Sequence, residues 1–384
     1  MNNFVFQTAR CIINESGATS RLGEIASGLG MSKVLLVSDP GIAKVGLLEK
    51  ALRGLRSGGM DVAVFTDVLA DPPERNILDA LEMAKQFGAD GVIGFGGGSS
   101  MDVAKLVAFL CRSEQTLAEI YGVGMAKGPR LPLILVTTTA GTGSEVTPIA
   151  IVTTGEHEKK GVVSPQLLPD IALLDADLTT GLPPRVTAMT GIDAMVHAIE
   201  AYTTKLRKNP ISDVLARQGL KLLFENIRIV VENGNDLEAR SQMLVGAMLA
   251  GQAFANAPVG AVHALAYPIG GQYHVPHGLS NSLILPHVMR FNLPVASREY
   301  AELAREIFND AGSLSDLAAG AMLISALEQL MVNIHLETRL QQVGIDQQSL
   351  PQLAEAAMQQ TRLLVNNPRE VQYEDALQIY RDAF

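Results

Sequence analysis

The sequence predicts an α/β domain followed by an all-helical domain. Three observations carry this prediction. Short β-branched runs alternate with helical patterns in the first half, the pattern changes near residue 180, and no comparable strand run follows. Such alternation is typical of a parallel sheet flanked by helices. The predicted domains are residues 1–180 and residues 181–384. Their lengths agree with a usual domain size of about 150 residues.

The elements are predicted from the period of their apolar residues. Strand patterns are short runs rich in Val, Ile and Leu, and helical patterns repeat apolar residues every three or four positions. The turn-rich segment Leu178–Pro184 separates the part with alternating strand and helix patterns from the part with helical patterns only. The predicted strands are 33–39, 61–65, 91–95 and 131–136, and the predicted helices are 47–55, 74–87, 99–110, 186–202, 211–231, 237–256, 259–270, 297–308 and 314–333.

Composition excludes several classes of protein. Hydrophobic residues make up 47% of the chain and charged residues 18%, which provides a large core and argues against disorder. The net charge of -10 argues against a nucleic-acid binder and against docking on an anionic membrane. Cys11 and Cys111 are the only cysteines, which excludes a disulfide scaffold and a Cys-rich metal site. Met1–Phe4 shows no secretory pattern, so we expect a cytoplasmic protein.

A charge-free segment runs from Ser241 to Met289, without one Asp, Glu, Lys or Arg. A membrane-spanning helix needs about 20 predominantly apolar residues. Glycines, prolines and amides interrupt this segment repeatedly, so we interpret it as helices buried in a protein core. Its low-dielectric interior holds four of the histidines, which are His263, His274, His277 and His287.

A glycine run, Gly96–Gly98, lies between a predicted strand and a predicted helix. Consecutive glycines allow backbone amides to approach a phosphate, and a helix N-terminus favours an anion. The same residues could form a tight turn with Ser99 as the N-cap and Asp102 in a capping-box-like pair. The run matches neither G-x-G-x-x-G nor a Walker A loop, so both interpretations stay open.

Asp39 lies at the carboxyl end of the first predicted strand. A carboxylate at the end of such a strand can accept hydrogen bonds from ribose hydroxyls and repel a 2′-phosphate. An Asx turn before Pro40-Gly41 explains the same residue without a ligand.

Asp193 and His197 are four residues apart on a predicted helix and therefore share one face. They could form a local hydrogen bond, or they could bind a metal. His263 and His277 add two imidazoles from the charge-free segment, and three imidazoles with one carboxylate suit Fe(II) or Zn(II). The residue types do not decide between these metals, and they do not exclude His274 and His287.

Five motifs together resemble those of one enzyme family. They are Gly96–Lys105, Thr138–Thr147, Gly191–Tyr202, Pro276–Gly278 and Asn367–Arg369. Over nearly its whole length the chain resembles the group III, iron-containing alcohol dehydrogenases. The resemblance implies a dehydroquinate-synthase-like fold with an N-terminal Rossmann-like domain, a C-terminal helical domain and a metal in the cleft between them.

The resemblance also implies site residues. It assigns the metal to Asp193, His197, His263 and His277 and favours Fe(II) over Zn(II). The motif threonines could otherwise be an ordinary polar loop, and Lys160 a solvated surface residue. The residues implied for binding NAD are Asp39, Gly96, Gly97, Gly98, Ser99, Thr138, Thr139, Thr142, Thr147 and Lys160.

The implied reaction is hydride transfer between nicotinamide and a small primary alcohol or its aldehyde, with the substrate oxygen polarised by the metal. Family members are often dimers or larger. The alternatives are a metal-dependent carbon–oxygen lyase of the dehydroquinate-synthase kind and a non-catalytic metal- or nucleotide-binding protein. A lyase for an anionic sugar phosphate should carry many Lys and Arg residues, unlike the charge-free segment. The residues expected to shape the substrate pocket are Val146, Pro148, Ile149, Phe254 and Tyr267.

The chain departs from the family pattern at two places. Asp71-Pro72-Pro73 stands where many members have Asn-Pro-Thr, which affects an adenosine-side contact. Tyr267 stands where many members have a histidine implicated in proton traffic. A phenol, with a reference pKa of about 10, is a poor base at neutral pH. We therefore predict that Tyr267 lines the pocket, with a proton relay as the alternative. Glu200 is expected either to support a metal ligand or to form a salt bridge on a helix face.

Overall fold

The computed structural model describes residues 3–155 and 158–384; Met1 and Asn2, which open the segment interpreted as lacking a secretory signal, lie outside them. The chain folds into two compact units. Residues 7–180 form the first unit. Residues 181–384 form the second, together with residues 3–6, which the prediction placed in the first domain.

A six-stranded parallel sheet forms the centre of the first unit. Its strand order is β1-β9-β6-β4-β2-β3, and every neighbouring pair is parallel. The prediction of a parallel-sheet domain is therefore confirmed. The strands, numbered along the chain, are β1 (Cys11–Asn14), β2 (Lys33–Val37), β3 (Asp61–Phe65), β4 (Gly91–Gly96), β5 (Gly122–Val123), β6 (Leu133–Thr137), β7 (Ile149–Thr154), β8 (Glu158–Val163) and β9 (Ile171–Leu174).

Helices cover both faces of this sheet. Alternate side chains of a strand point to opposite faces, so Leu35 joins one hydrophobic cluster and Leu36 the other. The first cluster includes residues of α4 and α5, and the second includes residues of α1 and α3. The helices of this unit are α1 (Leu22–Gly28), α2 (Pro40–Lys44), α3 (Leu47–Ser57), α4 (Glu74–Phe87) and α5 (Gly98–Leu110).

The strand order places a topological switch point between β2 and β4. From β2 the chain adds β3 on one side and then returns to add β4 on the other side of β2. Ligands of open α/β sheets bind at the carboxyl ends of the strands at such a point. Here Asp39 follows β2, Gly97 follows β4, and Thr138 follows the next strand, β6.

A second, small sheet was not predicted from the sequence. It has the order β5-β8-β7, and β7 pairs with β8 in antiparallel fashion. β8 begins Glu-Lys-Lys and is largely half-exposed, so it lacks the apolar run used to recognise strands. The prediction also missed the edge strand β1 and its neighbour β9, each of four residues.

The second unit is built of helices, and no strand occurs among its described residues, which confirms the predicted fold class. α10 begins at His277, whereas the prediction placed a helix only over 297–308. Pro286 and Pro294 hid its first part, because a proline inside a pattern predicts a break, and the helix is bent at Ala296. The helices are α6 (Pro184–Thr203), α7 (Pro210–Glu232), α8 (Leu237–Asn256), α9 (Ala261–Tyr273), α10 (His277–Ile307), α11 (Asp316–Asn333), α12 (Leu350–Met358), α13 (Thr361–Leu364) and α14 (Tyr373–Ala383).

The charge-free segment forms most of α8, all of α9 and the first part of α10, and most of its residues are buried. No single helix in residues 3–155 and 158–384 is long and apolar enough to cross a membrane. α8 and α9 reach that length and composition only as a pair, and the pair is bent by 105°.

Candidate active site

Helix α6 places Asp193 and His197 side by side on a buried face. The helix lies deep in the second unit, with residues 191–203 all buried. At Gly191 the side chains of Ile227 and Met243 pack closely, and a Cβ there would lie 2.7 Å from Ile227 Cδ1, so these side chains would have to shift. The two polar groups therefore lie on a closely packed helix.

Gly278 allows the start of α10 to approach α6. A Cβ at this position would lie 2.3 Å from the carbonyl oxygen of Met189 and 3.3 Å from Asp193 Cβ. No side chain fits in this space. Close packing of α10 against α6 therefore requires a glycine at position 278, and this packing brings His277 close to Asp193.

The four predicted metal ligands come together. His277 Nε2 lies 3.5 Å from Asp193 Oδ1, and His263 Nε2 lies 4.0 Å from the same oxygen. His197 Nε2 lies 3.1 Å from His263 Nε2. Donor atoms at roughly 2.0–2.2 Å from a tetrahedral ion stand about 3.3–3.6 Å apart. The donor atoms of Asp193, His263 and His277 lie within 4.8 Å of one another, so these three residues can hold one divalent ion, and His197 joins them beside His263.

The charges around Asp193 agree with that fit. In the described part of the chain no Lys or Arg pairs with this carboxylate, and its ionic contacts are imidazoles. Burial would raise the pKa of Asp193, but His277, His197, His263 and the amide of Asn281 outweigh it and hold the pKa below its usual value. Asp193 is therefore an anion at neutral pH, as a carboxylate that binds a metal must be.

Two further side chains contact the ligand set. Glu200 Oε2 lies 2.6 Å from His263 Nδ1, so this residue supports an imidazole and does not form a surface salt bridge. Asn281 Nδ2 donates to Asp193 Oδ1 at 2.6 Å and lies 3.2 Å from His277 Nε2. Asn281 was not predicted from the sequence, although its position one helical turn after His277 could have indicated it.

Aromatic rings border the same group of imidazoles. Phe254 stacks on His197 with ring centres 4.3 Å apart. Tyr267 lies one turn after His263 on α9, and its ring centre is 5.9 Å from that of His277. Both aromatic side chains are half-buried.

The structure also separates the other two histidines of the charge-free segment from this group. His274 ends α9 in a left-handed conformation with φ 55 and is exposed. His287 lies beside a different cavity of about 570 Å³, together with Arg290 and Arg339, and burial lowers its pKa to about 4.

The glycine run in the first unit forms the turn from β4 into α5. The helix begins at Gly98 after Gly97, which provides no side-chain cap, so Ser99 is in the first turn and is not the N-cap. Asp102 does not close a capping box either; it accepts hydrogen bonds from Ser144 Oγ and from the backbone N–H of Ile151. The uncapped N–H groups of this first turn can therefore bind an anion.

Asp39 forms the expected Asx turn and also lies beside the glycine run. Its Oδ1 accepts the backbone N–H of Ile42 at 3.0 Å and caps α2, as an Asx turn would. Its Oδ2 accepts from Ser100 Oγ at 3.2 Å, next to the glycine run. A Cβ at Gly96, where φ is +154, would lie 3.1 Å from that oxygen. Asp39 therefore lies against the glycine run across the switch point.

The threonine motif approaches the same loop. A Cβ at Gly98 would lie 3.0 Å from Thr142 Cγ2, and one at Gly97 would lie 3.7 Å from Thr139 Oγ1. Thr138 Oγ1 is buried and has no hydrogen-bond partner among the described residues. Lys160 lies on β8, 3.4 Å from Glu158 and 5.7 Å from the centre of the Tyr121 ring, with 43% of its side chain exposed.

A buried lysine, which was given no role from the sequence, donates hydrogen bonds to this loop. Lys105 is fully buried, and its Nζ donates to Ser144 Oγ, Thr147 Oγ1 and the carbonyl oxygen of Ile149. Burial lowers the pKa of Lys105, and the carboxylate of Asp102, 3.6 Å away, partly opposes this. Its place one turn after Asp102 on α5 was the available signal.

Two family models together match nearly the whole chain. The model described as iron-containing alcohol dehydrogenase matches residues 9–176, and the model for the C-terminal part of the Fe-containing alcohol dehydrogenase family matches residues 187–384. The chain belongs to the iron-containing alcohol dehydrogenase family.

Individual relatives agree with this family assignment. The chain is 39% identical to long-chain-alcohol dehydrogenase 1 of Geobacillus thermodenitrificans, across 96% of this chain and 93% of the relative. It is 33% identical to the NAD-dependent methanol dehydrogenase of Bacillus methanolicus, across the full length of both. The crystal structure of a 1,3-propanediol oxidoreductase superposes with a TM-score of 0.96 at 35% identity and covers both chains fully. These matches confirm the predicted family, enzyme class and cofactors, NAD and a metal such as iron.

Proposed function

We propose that this enzyme interconverts a small primary alcohol and its aldehyde with NAD(H), using a divalent metal held by Asp193, His197, His263 and His277. The observation that carries the proposal is the buried carboxylate of Asp193 with the imidazoles of His277 and His263 at 3.5 and 4.0 Å, and His197 at 3.1 Å from His263. A site of nitrogen and oxygen donors without thiolate suits Fe(II) or Zn(II), and membership of an iron-containing family favours Fe(II).

The metal, when bound, supplies Lewis acidity toward the substrate oxygen, and NAD supplies the hydride acceptor. The residues of this chain orient and shield the reacting groups. The charge-free segment, which includes most of α8 and all of α9, keeps the local dielectric constant low. A low dielectric constant strengthens electrostatic interactions. Phe254 and Tyr267 provide an aromatic wall beside the imidazoles, against which an aliphatic carbon chain packs.

We propose the first unit as the dinucleotide-binding domain and the second as the metal-binding domain. Support for the first comes from the uncapped N-terminus of α5 at the switch point and from the buried, unpartnered hydroxyl of Thr138. The proposed NAD-binding residues are Asp39, Gly96, Gly97, Gly98, Ser99, Thr138, Thr139, Thr142, Thr147 and Lys160.

An assay of NADH consumption with a panel of aldehydes, combined with metal analysis of the purified protein, tests the proposed activity. We expect steady NADH oxidation that depends on aldehyde and on one divalent metal per chain. Lyase turnover without net NADH loss, or binding of NADH without turnover, would contradict it. We further propose that the enzyme is cytoplasmic and that it forms a homodimer or a larger homo-oligomer. Light scattering of the purified protein tests the oligomeric state.

Asp39 is expected to make the enzyme prefer NAD to NADP, because its carboxylate repels a 2′-phosphate. Asp39→Gly should narrow or reverse the ratio of kcat/KM for the two cofactors. Since Asp39 also caps α2, Asp39→Asn is the matched variant, which removes the charge and keeps a capping side chain. Both variants should shift the ratio in the same direction. A preference of the unmodified enzyme for NADPH would show that Asp39 does not have this role.

Tyr267→Phe is expected to lower kcat less than about tenfold, below the usual range for losing a general acid or base. The expectation follows from a pocket-lining role beside His263 and His277, in which ring packing matters and the hydroxyl does not. Steady-state kinetics with Tyr273→Phe, on the same helix, as a control provide the measurement. A loss of about a thousandfold, with metal and NAD binding preserved, would show that Tyr267 carries the proton.

A further inference from the structure

We propose that Glu200 is a positioning residue that builds the metal site in advance, by fixing both the proton of His263 and the helical turn that carries this ligand. The inference rests on the proposed metal site and adds a residue that is not itself a ligand. It explains why an acidic side chain lies buried in the second unit, with 6% of its surface exposed and no Lys or Arg partner in the described part of the chain.

Each carboxylate oxygen of Glu200 has one partner, and the two partners are consecutive residues. Oε1 accepts the backbone N–H of Val262 at 2.7 Å, and Oε2 lies 2.6 Å from His263 Nδ1. Val262 and His263 are in the first turn of α9, where Gly260 at the N-cap provides no capping side chain. Glu200, which comes from α6, therefore performs the capping that α9 lacks.

This contact determines the tautomer of His263. A carboxylate can only accept, so the ring proton is on Nδ1 and the lone pair is on Nε2. Nε2 is the atom that lies 3.1 Å from His197 Nε2 and 4.0 Å from Asp193 Oδ1. The hydrogen bond thus directs the free lone pair to the position where the other donors meet.

The two contacts together hold the ring before any ion binds. Glu200 ties the backbone and the side chain of the first turn of α9 to α6. Partners of this kind typically contribute 10–100-fold to metal affinity, because they orient a ligand and raise its basicity.

Co(II) binding to the metal-free, full-length protein tests the proposal. The dissociation constant is measured by competition with a chromophoric chelator, and the visible spectrum of bound Co(II) reports the ligand geometry. Glu200→Gln keeps the size of the side chain, but it replaces one acceptor oxygen by an NH2 group, so one of the two N–H groups faces a donor. We expect Co(II) binding about 10–100-fold weaker than in the unmodified protein, with an altered spectrum.

Glu302→Gln is the matched control. Glu302 is in the same unit and accepts a hydrogen bond from the Tyr202 hydroxyl, and no contact joins it to the four ligands among the described residues. This variant should bind Co(II) with the affinity and spectrum of the unmodified protein. If Glu200→Gln fails to fold, Glu200→Asp replaces it, since Asp keeps both acceptor oxygens and withdraws them by one methylene. A measurably weaker affinity for Co(II) in that variant supports the proposal.

Unchanged Co(II) affinity and spectrum in the Glu200 variants would overturn the proposal, even if the metal-free protein unfolds at a lower temperature. That result would leave Glu200 as a cap of α9 alone. Failure of the underlying metal site gives a different result, in which the unmodified protein binds no Co(II), or Asp193→Ala binds it as tightly as the unmodified protein.

Discussion

Replacing His277 with Ala is expected to abolish turnover and to leave the fold largely intact. The imidazole is the first residue of α10, with 35% of its side chain exposed, and its Nε2 is 3.5 Å from Asp193 Oδ1. Truncation removes one of the four proposed donors, and it costs the fold less than the loss of a fully buried side chain would, because His277 is partly exposed at the start of a helix. Lewis-acid stabilisation is worth several kcal/mol and each 1.36 kcal/mol is tenfold, so we expect a loss in kcat/KM of more than about a thousandfold.

Metal content, kcat/KM and the thermal unfolding midpoint are measured together for this variant. His274→Asn is the matched control: His274 is three residues earlier and exposed, and Asn tolerates its left-handed conformation. The control should keep both metal and activity. A metal-free His277→Ala protein that reduced aldehyde at the normal rate would show that the metal has no part in the reaction.

Part of the metal site was predictable from local spacing. Asp193 and His197 share a helix face, and four-residue spacing is sufficient to place them together. His263 and His277 lie on two other helices, and only the resemblance selected them over His274 and His287. The structure provides the physical reason: His274 ends α9 in an exposed left-handed conformation, and His287 lies by another cavity.

Other parts of the site depend on contacts that no local pattern encodes. Glu200 caps a turn 62 residues later in the chain, so its role depends on how α6 packs beside α9. Gly278 is required by the approach of a backbone carbonyl at Met189, which appears only once two helices are packed. The same limit applies to the fold, since β8 is polar and is stabilised as a strand by its pairing with β7.

Lys105→Met is expected to destabilise the enzyme by about 3–5 kcal/mol, the usual cost of leaving a buried charge unpaired. The substitution keeps much of the volume of a fully buried side chain. It removes the cation that lies 3.6 Å from Asp102 and the donor for Ser144 Oγ and the carbonyl oxygen of Ile149. Glu145 is also buried, and burial raises its pKa to about 7, while the Lys105 ammonium partly opposes this rise.

Urea unfolding of the Lys105 variant measures this loss, and the KM for NAD measures a second effect. Ser144 and Thr147 belong to the threonine motif, so we expect the released loop to bind the cofactor more weakly. Arg75→Met is the control, because Arg75 is exposed in its pair with Asp79 and such a pair contributes less than about 1 kcal/mol. If Lys105→Met unfolds at the same urea concentration as this control, the buried lysine does not hold the loop. If stability falls while the KM for NAD is unchanged, Lys105 supports the fold of the first unit without shaping the cofactor site.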